Sequence, residues 1–338
     1  MEILITGGNG LLGRHLISAL QQRGESVRVL VLPAEDASWL EGRGVAVHRG
    51  DIRRPETLIA PMSGVEAVVH LAGMMGVWKP LEHYHAVNVT GTKNLCRAAL
   101  TEGARVVHVS SWTVYGMALG QPAREELPLT PFREPYAITK AMGDRAVQRM
   151  IVEDHLPAVI IRPGTFFGPG DRLHFGRIAD RLRAGRGIIV GPGDNALPFV
   201  YVTDVVRGLL LALDHERAVG RAYNITNDRP LTQKQLLSAI ADEIGASPPR
   251  LHFPYRALYA AGYAAERLAV LTRSRHQPVV TRLGEKLFGT DNRHAVDKAR
   301  RELGYAPRVA LRDGVRLAAA WYRTQNLPAA SPAIAVPR

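Results

Sequence analysis

Three side chains near the middle of the chain have the types and spacing for proton transfer. Ser111 ends the apolar run RVVHVSS (105–111), and the segment PYAITK (135–140) places Tyr136 and Lys140 four residues apart. Residues four apart share one face of a helix, one turn from each other. A tyrosine has an ordinary pKa of about 10, so a nearby ammonium is needed to stabilise its phenolate at neutral pH. With Ser111 bound to the same substrate oxygen, the trio predicts proton exchange with a carbinol oxygen.

A Tyr-x-x-x-Lys pair is common on helix surfaces, so the surrounding sequence decides how it is interpreted. Four glycines, Gly7, Gly8, Gly10 and Gly13, follow the strand-like run EILIT (2–6) and precede a helix-like pattern. Such a turn presents backbone N–H groups and a helix N-terminus to a phosphate, with no Cβ in the way. At the start of a strand–helix alternation, the turn predicts dinucleotide binding.

Strand-like and helix-like segments alternate through the first two-thirds of the chain. Nearly continuous apolar strands separated by helices are typical of a parallel sheet covered on both faces. We therefore predict an α/β, doubly wound fold with its ligand at the carboxyl ends of the strands. The predicted strands are EILIT (2–6), SVRVLVL (26–32), VAVHRG (45–50), AVVHLAG (67–73), RVVHVSS (105–111), AVIIRPG (158–164) and AYNIT (222–226). Helix-like segments include 13–24, 91–103, 140–155, 231–245 and 255–271.

The alternation weakens after residue 165, which predicts two unequal lobes. Residues 1–165 form the predicted dinucleotide-binding domain, to which 199–226 returns, and 166–198 and 227–326 form a smaller, mainly helical substrate lobe. Thr232 is a plausible N-cap. The segment 255–271 is too short for an uninterrupted membrane span and is expected to be a packed helix or lid. The tail 327–338 has the composition of a disordered end.

The composition limits the function classes. The chain has 338 residues, 46% of them hydrophobic, as in ordinary soluble proteins. Its one cysteine, Cys96, and the absence of a visible leader suggest a cytoplasmic protein. The net charge of +12 comes from scattered arginines, and no nucleic-acid module is recognisable, so no nucleic-acid partner is predicted. The histidines near the predicted cleft lack metal spacing, so no metal is assigned.

Combined, the glycine turn and the trio predict hydride exchange with a nicotinamide dinucleotide. The choice between NAD and NADP stays open. NAD sites usually place an acidic side chain at the end of the second strand, and NADP sites an arginine nearby. Here that strand ends Val31-Leu32-Pro33, and Glu35 and Asp36 come later.

Landmarks along nearly the whole chain carry a family resemblance. They are TGGNGLLG (6–13), GDI (50–52), HLAG (70–73), NVTGTKN (88–94), SSWTVYG (110–116), YAITK (136–140), RPGTFFGPGD (162–171), FVYVTDVV (199–206) and the C-terminal segment 300–323. The sequence resembles the extended short-chain dehydrogenases/reductases of the epimerase/dehydratase type. The resemblance implies a Rossmann sheet, a bound NAD(P), a small-molecule substrate and a homodimer formed through two-helix packing.

The resemblance also implies which residues form the sites. Ser111, Tyr136 and Lys140 are the expected catalytic trio. Asp51 and Ile52 are expected to flank the adenine, and Asn88 to brace the strand that carries the cofactor cleft. The full expected cofactor set is Gly7, Asn9, Gly10, Leu11, Leu12, Gly13, Asp51, Ile52, Leu71, Ala72, Gly73, Asn88, Tyr136, Lys140 and Pro163.

Several positions distinguish branches of this family. Nucleotide-sugar enzymes usually carry Asn at the position of Thr165 and a diphosphate-binding Arg at the position of Leu197. The contact between that arginine and the diphosphate is worth about 2 kcal/mol or more. The dehydratases carry Asp-Glu in place of Trp112-Thr113. The segment 286–305 resembles the 3β-hydroxysteroid dehydrogenase and dihydroflavonol reductase branch, although SSWTVYG is close to sugar 4-epimerases. The expected pocket is mainly apolar: Met74, Met75, Trp78, Trp112, Thr113, Thr165, Phe166, Phe167 and Leu197.

Three functions remain open at this stage. The preferred one is an NAD(P)-dependent reductase or dehydrogenase acting on an apolar ketone or secondary alcohol. In it Tyr136 exchanges the proton, Lys140 lowers the pKa of Tyr136 and holds the ribose, and Ser111 orients the carbonyl. The alternative is a nucleotide-sugar 4-epimerase that retains its NAD. A non-catalytic dinucleotide sensor is disfavoured by the intact trio.

Overall fold

The computed structural model describes residues 1–325 apart from positions 77, 273, 275, 277 and 279. Residue 326 of the predicted lobe and the predicted tail 327–338 lie outside the described residues. The strands are β1 Glu2–Thr6, β2 Ser26–Val31, β3 Ala46–Arg49, β4 Ala67–His70, β5 Arg105–Val109, β6 Ala158–Pro163, β7 Thr165–Phe167, β8 Ile189–Val190, β9 Ala196–Leu197, β10 Phe199–Tyr201, β11 Ala222–Ile225, β12 Leu231–Thr232 and β13 His252–Phe253.

Helices connect these strands. They are α1 Leu11–Gln22, α2 Ser38–Glu41, α3 Ile59–Met62, α4 Leu81–His85, α5 Thr92–Glu102, α6 Pro135–Glu153, α7 Arg177–Arg183, α8 Val202–Asp214, α9 Gln233–Ile244, α10 Tyr255–Leu271, α11 Arg282–Gly289, α12 Asp297–Leu303 and α13 Leu311–Gln325. Short helical turns lie at Pro55–Leu58, Ala86–Gly91, Trp112–Tyr115, Arg172–Gly176 and Glu216–Ala218.

Seven strands of the described part of the chain form one parallel sheet in the order β11-β6-β5-β4-β1-β2-β3. One apolar cluster, which includes Leu16 and Leu209, packs α1 and α8 against one face. A second, which includes Leu95 and Val147, packs α5 and α6 against the other. The predicted doubly wound α/β fold is confirmed, because strands buried on both faces need a helix layer on each side.

All seven predicted strands form, several of them one to three residues shorter than expected. The second strand, for example, ends at Val31 because Leu32 begins a turn, in which the Glu35 amide donates to the Leu32 carbonyl at 3.0 Å. The carboxyl ends of β1, β4 and β5 therefore meet at one edge of the sheet. The glycine turn and Ser111 both lie at this edge.

The C-terminal part contains the predicted helices α9 and α10, together with short strands that the sequence did not predict. Strands β8 and β13 pair in parallel, and β9 and β12 pair antiparallel. Strands of two residues have no periodicity for a sequence pattern to detect. Thr232 caps α9 as predicted, through a capping box with Gln235. The division of the chain into two lobes at the stated boundaries remains a prediction.

Candidate active site

Ser111 and Tyr136 meet at the carboxyl edge of the sheet. Ser111 follows β5 in extended conformation and caps the turn Trp112–Tyr115, its Oγ accepting from the Thr113 amide at 3.3 Å. Tyr136 lies in the first turn of α6, which begins at Pro135 behind the N-cap Glu134. The Tyr136 hydroxyl is hydrogen-bonded to Ser111. Residues 25 positions apart in the sequence thus share one hydrogen bond.

Burial sets the pKa of Tyr136. It raises the pKa to about 12, and the hydrogen bond to Ser111 acts in the opposite direction. The Tyr136 hydroxyl is therefore protonated at neutral pH. Burial is the largest cause of the raised pKa, and the nearby Glu134 and Tyr84 also raise it. The role of Lys140 in lowering the pKa of Tyr136 remains a prediction.

Lys140 lies one turn further along α6 and is buried. Its Nζ donates to the Val109 carbonyl at 2.6 Å, at the end of β5. Burial lowers its pKa to about 8, and the nearby carboxylate of Asp144 partly opposes the shift. An added Cβ at Gly73 would lie 3.9 Å from the Lys140 Nζ. The lysine thus faces the loop that follows β4.

Asp144 belongs to a buried polar cluster behind the trio, which the sequence analysis missed. Its carboxylate accepts from Ser110 Oγ at 2.6 Å and from Arg162 Nε and Nη2 at 2.9 and 3.0 Å. Arg162 also donates to the Tyr115 hydroxyl at 2.7 Å. The continued four-residue spacing from Tyr136 through Lys140 to Asp144 was the available signal.

The glycine turn fits a dinucleotide phosphate. Gly7 has φ +73°, and a Cβ there would lie 2.9 Å from the Ala72 amide nitrogen. A Cβ at Gly13 would lie 2.5 Å from the Gly7 carbonyl oxygen. Gly10 is the N-cap of α1, whose first turn holds no acidic residue. The turn is closely packed, and backbone N–H groups at the start of α1 have no side-chain cap to compete with a phosphate.

The loop after β4 is held in place beside this turn. The Ala72 amide donates to Thr6 Oγ1 at 3.2 Å. Asn88 Oδ1 accepts from the Met74 amide at 2.7 Å, and Asn88 Nδ2 donates to the Met74 carbonyl at 3.1 Å. Asn88 thus braces the loop, whereas the sequence analysis expected it to brace a strand.

Other residues of the expected cofactor set have mainly packing contacts. Leu12 is buried in the core, and Leu11 packs against it. Ile52 is buried, and its side chain lies within 2.6 Å of a Cβ placed at Gly91. The Asp51 carboxylate accepts from Arg53 Nε at 2.9 and 3.0 Å, and this pairing lowers the pKa of Asp51. Pro163 ends β6 and pairs with Ile225.

Glu35 returns to the end of the second strand, which its position in the sequence did not indicate. Its Oε2 accepts from the Leu32 amide at 3.0 Å, and its Oε1 accepts from Asn9 Nδ2 at 2.9 Å. Asn9, at the glycine turn, also donates to the Asp36 carbonyl at 2.8 Å. An acidic side chain therefore lies at the end of the second strand, beside the glycine turn.

The expected substrate pocket is only partly assembled. Trp112 is buried and donates through Nε1 to Thr165 Oγ1 at 3.0 Å, so these two residues meet. Phe167 packs in the core against Phe175 and Tyr201, and Leu197 pairs with Leu231 in a buried ladder. Phe167 and Leu197 are therefore buried with the core, and their place in the substrate pocket remains a prediction. Thr113 is also buried, donating to Ser111 Oγ at 2.9 Å; the more accessible members are Met74, Met75, Trp78 and Phe166.

A cavity of about 240 Å³ lies beside the segment that leads into α6. Phe132 and Arg133 line it, together with Lys286 from α11, whose Nζ lies 5.1 Å from the centre of the Phe132 ring. Partial burial lowers the pKa of Lys286.

No group of three or more His, Cys, Asp or Glu in the described residues could hold a metal ion. None of the helices described is both long and apolar enough to cross a membrane.

Comparison with known proteins places this arrangement in a family. The model of the "NAD dependent epimerase/dehydratase family" matches residues 3–226. A 2-alkyl-3-oxoalkanoate reductase from Stenotrophomonas maltophilia is 33% identical, over 94% of this chain and 98% of that protein. A decarboxylating sterol-4-alpha-carboxylate 3-dehydrogenase from Mus musculus is 28% identical, over 92% and 88%.

Solved structures share the fold at lower identity. UDP-glucose 4-epimerase from Thermotoga maritima superposes with a TM-score of 0.78, at 24% identity, over 96% of this chain and 99% of that one. At this identity the likeness shows the fold alone. The chain belongs to the NAD-dependent epimerase/dehydratase family and is an NAD(P)-dependent oxidoreductase enzyme.

Proposed function

We propose that the protein interconverts an apolar ketone and its secondary alcohol with NAD(P)H, using Ser111, Tyr136 and Lys140. The observation that carries this proposal is the hydrogen bond between Ser111 and Tyr136, with Lys140 buried one turn along the same helix. A hydroxyl pair at the carboxyl edge of the sheet suits a carbonyl oxygen held between two donors.

In the reduction, Ser111 donates a hydrogen bond to the carbonyl oxygen and holds it against the Tyr136 hydroxyl. When bound, NAD(P)H would supply the hydride that the carbonyl carbon accepts. As negative charge develops on the oxygen, the Tyr136 O–H bond breaks and its proton forms the new O–H bond. A pKa raised to about 12 keeps the Tyr136 hydroxyl protonated at neutral pH, which is the form that donates the proton in the reduction.

We further propose that the substrate carries a carboxylate on the carbon next to the reacting one. The names of both relatives describe this arrangement, in a 3-oxoalkanoate and in a 3-hydroxy sterol 4-carboxylate. Lys286 and Arg133 at the 240 Å³ cavity supply cations beside the segment leading into α6. A partly buried ammonium gains free energy when it pairs with a carboxylate. Lys286→Met is therefore expected to raise KM for an oxo acid more than for the same ketone without its carboxylate.

Glu35 leads us to propose NADH as the preferred reductant. Its carboxylate lies at the end of β2, bound to the Leu32 amide and to Asn9. A carboxylate there accepts from a ribose 2′-hydroxyl and repels a 2′-phosphate.

The alternative is a nucleotide-sugar 4-epimerase with retained NAD. Leu197, where the diphosphate-binding arginine of such enzymes is expected, is buried in a two-stranded ladder, and this disfavours the alternative. A single experiment separates the two: the purified protein is denatured and any released nucleotide is identified by mass spectrometry. Stoichiometric, non-exchanging NAD supports the epimerase, whereas a site that binds added NADH reversibly supports the reductase.

Tyr136→Phe tests the proposed proton transfer. We expect kcat to fall by roughly 10²–10⁴-fold with NADH binding retained, because only the transferable proton is lost. Tyr263→Phe, on the exposed side of α10, is the matched control with unchanged kcat. Full turnover by Tyr136→Phe contradicts the mechanism.

We also propose a cytoplasmic homodimer without a nucleic-acid partner. The exposed groove between α5 and α6, about 370 Å³ in volume and lined by Met142, Arg145 and Met150 among others, supports two-helix packing between subunits. Light scattering of the purified protein measures the mass, and a monomer at all concentrations contradicts the dimer.

A further inference from the structure

Helix α10 has one face that nothing in the described part of the chain covers. Ala257, Ala261, Ala264, Leu268 and Leu271 are all exposed and recur at intervals of three or four residues. They form a single apolar stripe, which we call the α10 stripe. Leu268 is 62% exposed and Leu271 80%. A stripe with two leucines as exposed as these is typical of a contact surface, where a partner removes the leucines from water.

The opposite face of α10 is anchored to α11. Gly262 lies against the backbone of Thr281 and Arg282, where an added Cβ would be 3.0 Å away. The Glu266 carboxylate accepts from Arg282 Nε at 2.6 Å. The helix therefore has a fixed orientation, and its one acidic residue is turned inward to an ion pair.

Two exposed arginines border the α10 stripe. Arg256 and Arg267 are exposed on one side of it, and the Arg267 Nε donates to the Tyr263 hydroxyl at 3.1 Å. Further exposed apolar side chains, Leu251 and Phe253, lie in the segment that leads into the helix. The whole chain carries a net charge of +12. The two exposed arginines and the positive net charge of the chain are complementary to an anionic surface.

Helix α10 is linked through α11 to the segment that leads into α6. Helix α11, on which α10 packs, places Lys286 over Phe132, three residues before Pro135 at the start of α6. Because α10 has 17 residues, it is about 25 Å long. With charged residues along its length, it suits a position in the interface plane and not across the bilayer.

We propose that α10 docks the protein on an anionic lipid bilayer, with the α10 stripe in the acyl boundary and Arg256 and Arg267 at the headgroups. A protein partner with a shape-specific interface matches the stripe less well, because the stripe consists of small alanines and two leucines without a groove. The proposal does not depend on the substrate class suggested above.

Flotation of the full-length protein with vesicles tests the proposal. We expect the protein to float with vesicles of equal parts phosphatidylcholine and phosphatidylglycerol, less so at high salt, and not with phosphatidylcholine alone. The double substitution Leu268→Glu and Leu271→Glu is expected to reduce binding by at least about tenfold. Ile59→Glu, which charges an equally exposed residue on α3 (72% exposed), is the matched control that keeps wild-type binding. Circular dichroism confirms that each variant is folded.

Three results overturn the proposal. One is the absence of flotation by the wild-type protein. Another is equal flotation by wild type and the Leu268/Leu271 variant. The third combines two measurements: wild type does not bind vesicles, and the Leu268/Leu271 variant has a lower mass than wild type by light scattering. That result assigns the α10 stripe to a contact between copies of this chain.

Discussion

The Asp144 carboxylate and the Arg162 guanidinium form a doubly hydrogen-bonded ion pair, buried between helix α6 and strand β6. The two bonds are 2.9 and 3.0 Å long, and both side chains are at most 2% exposed. The same carboxylate accepts from Ser110, the neighbour of Ser111, and lies one turn from Lys140. The pair thus connects the strand that carries the serine to the helix that carries the tyrosine and the lysine.

Removing one partner of this pair is expected to be costly. Asp144→Asn leaves the Arg162 charge buried without its counter-ion, which destabilises a protein by about 3–5 kcal/mol. The free energy of unfolding, measured in denaturant, checks the value. Glu153→Gln breaks an exposed pair with Arg149 on the same helix and is expected to cost less than about 1 kcal/mol. Equal effects of the two substitutions contradict the assignment.

The lowered pKa of Lys140 predicts a pH dependence. Its folded-state value is about 8, against an ordinary value of 10.5. Between these two pH values the unfolded chain binds the extra proton, so the contribution of Lys140 to the free energy of unfolding rises with pH. NADH affinity is expected to fall over the same range, because the ammonium that attracts the cofactor becomes neutral.

Fluorescence titration of NADH across this pH range measures the effect. Tyr136→Phe should keep the decline near pH 8, whereas Lys140→Met should lack it and bind weakly throughout. A decline that persists in Lys140→Met assigns the titration to another group.

Gly7 and Gly24 share φ +73° but differ in their surroundings. A Cβ at Gly7 meets the Ala72 amide at 2.9 Å, and a Cβ at Gly24 meets nothing within 4 Å. Gly24→Ala therefore measures backbone strain alone, about 1 kcal/mol. Gly7→Ala adds the clash beside the phosphate turn, so we expect a larger loss of stability and an NADH affinity at least about tenfold lower. Unfolding and NADH titration of both variants provide the comparison.

Glu35→Gln tests the choice of cofactor. Removing the charge at the end of β2 is expected to improve NADPH binding relative to NADH by about tenfold, since a 2′-phosphate is no longer repelled. The ratio of the two dissociation constants is the measurement. Glu41→Gln, which removes an exposed charge on α2, should leave that ratio unchanged. An unaltered ratio in Glu35→Gln excludes the carboxylate as the selective group.

Local sequence determined the strands, the main helices and the position of the trio. A run such as Ala158–Pro163 is buried on both faces wherever it packs, so its residue types alone predict a central strand. The glycine motif at 6–13 and the Tyr136–Lys140 pair are local in sequence, each contained within one or two helical turns. These features were therefore available before any packing was known.

Tertiary structure alone decided which distant groups meet. The return of Glu35 to Asn9, the pairing of Asp144 with Arg162 and the burial of Phe167 and Leu197 each depend on segments brought together by the sheet. The exposure of Leu268 and Leu271 depends equally on which face of α10 packs on α11. An apolar residue has the same local pattern in a core, a pocket or an open surface. Only the position of its neighbours distinguishes these environments.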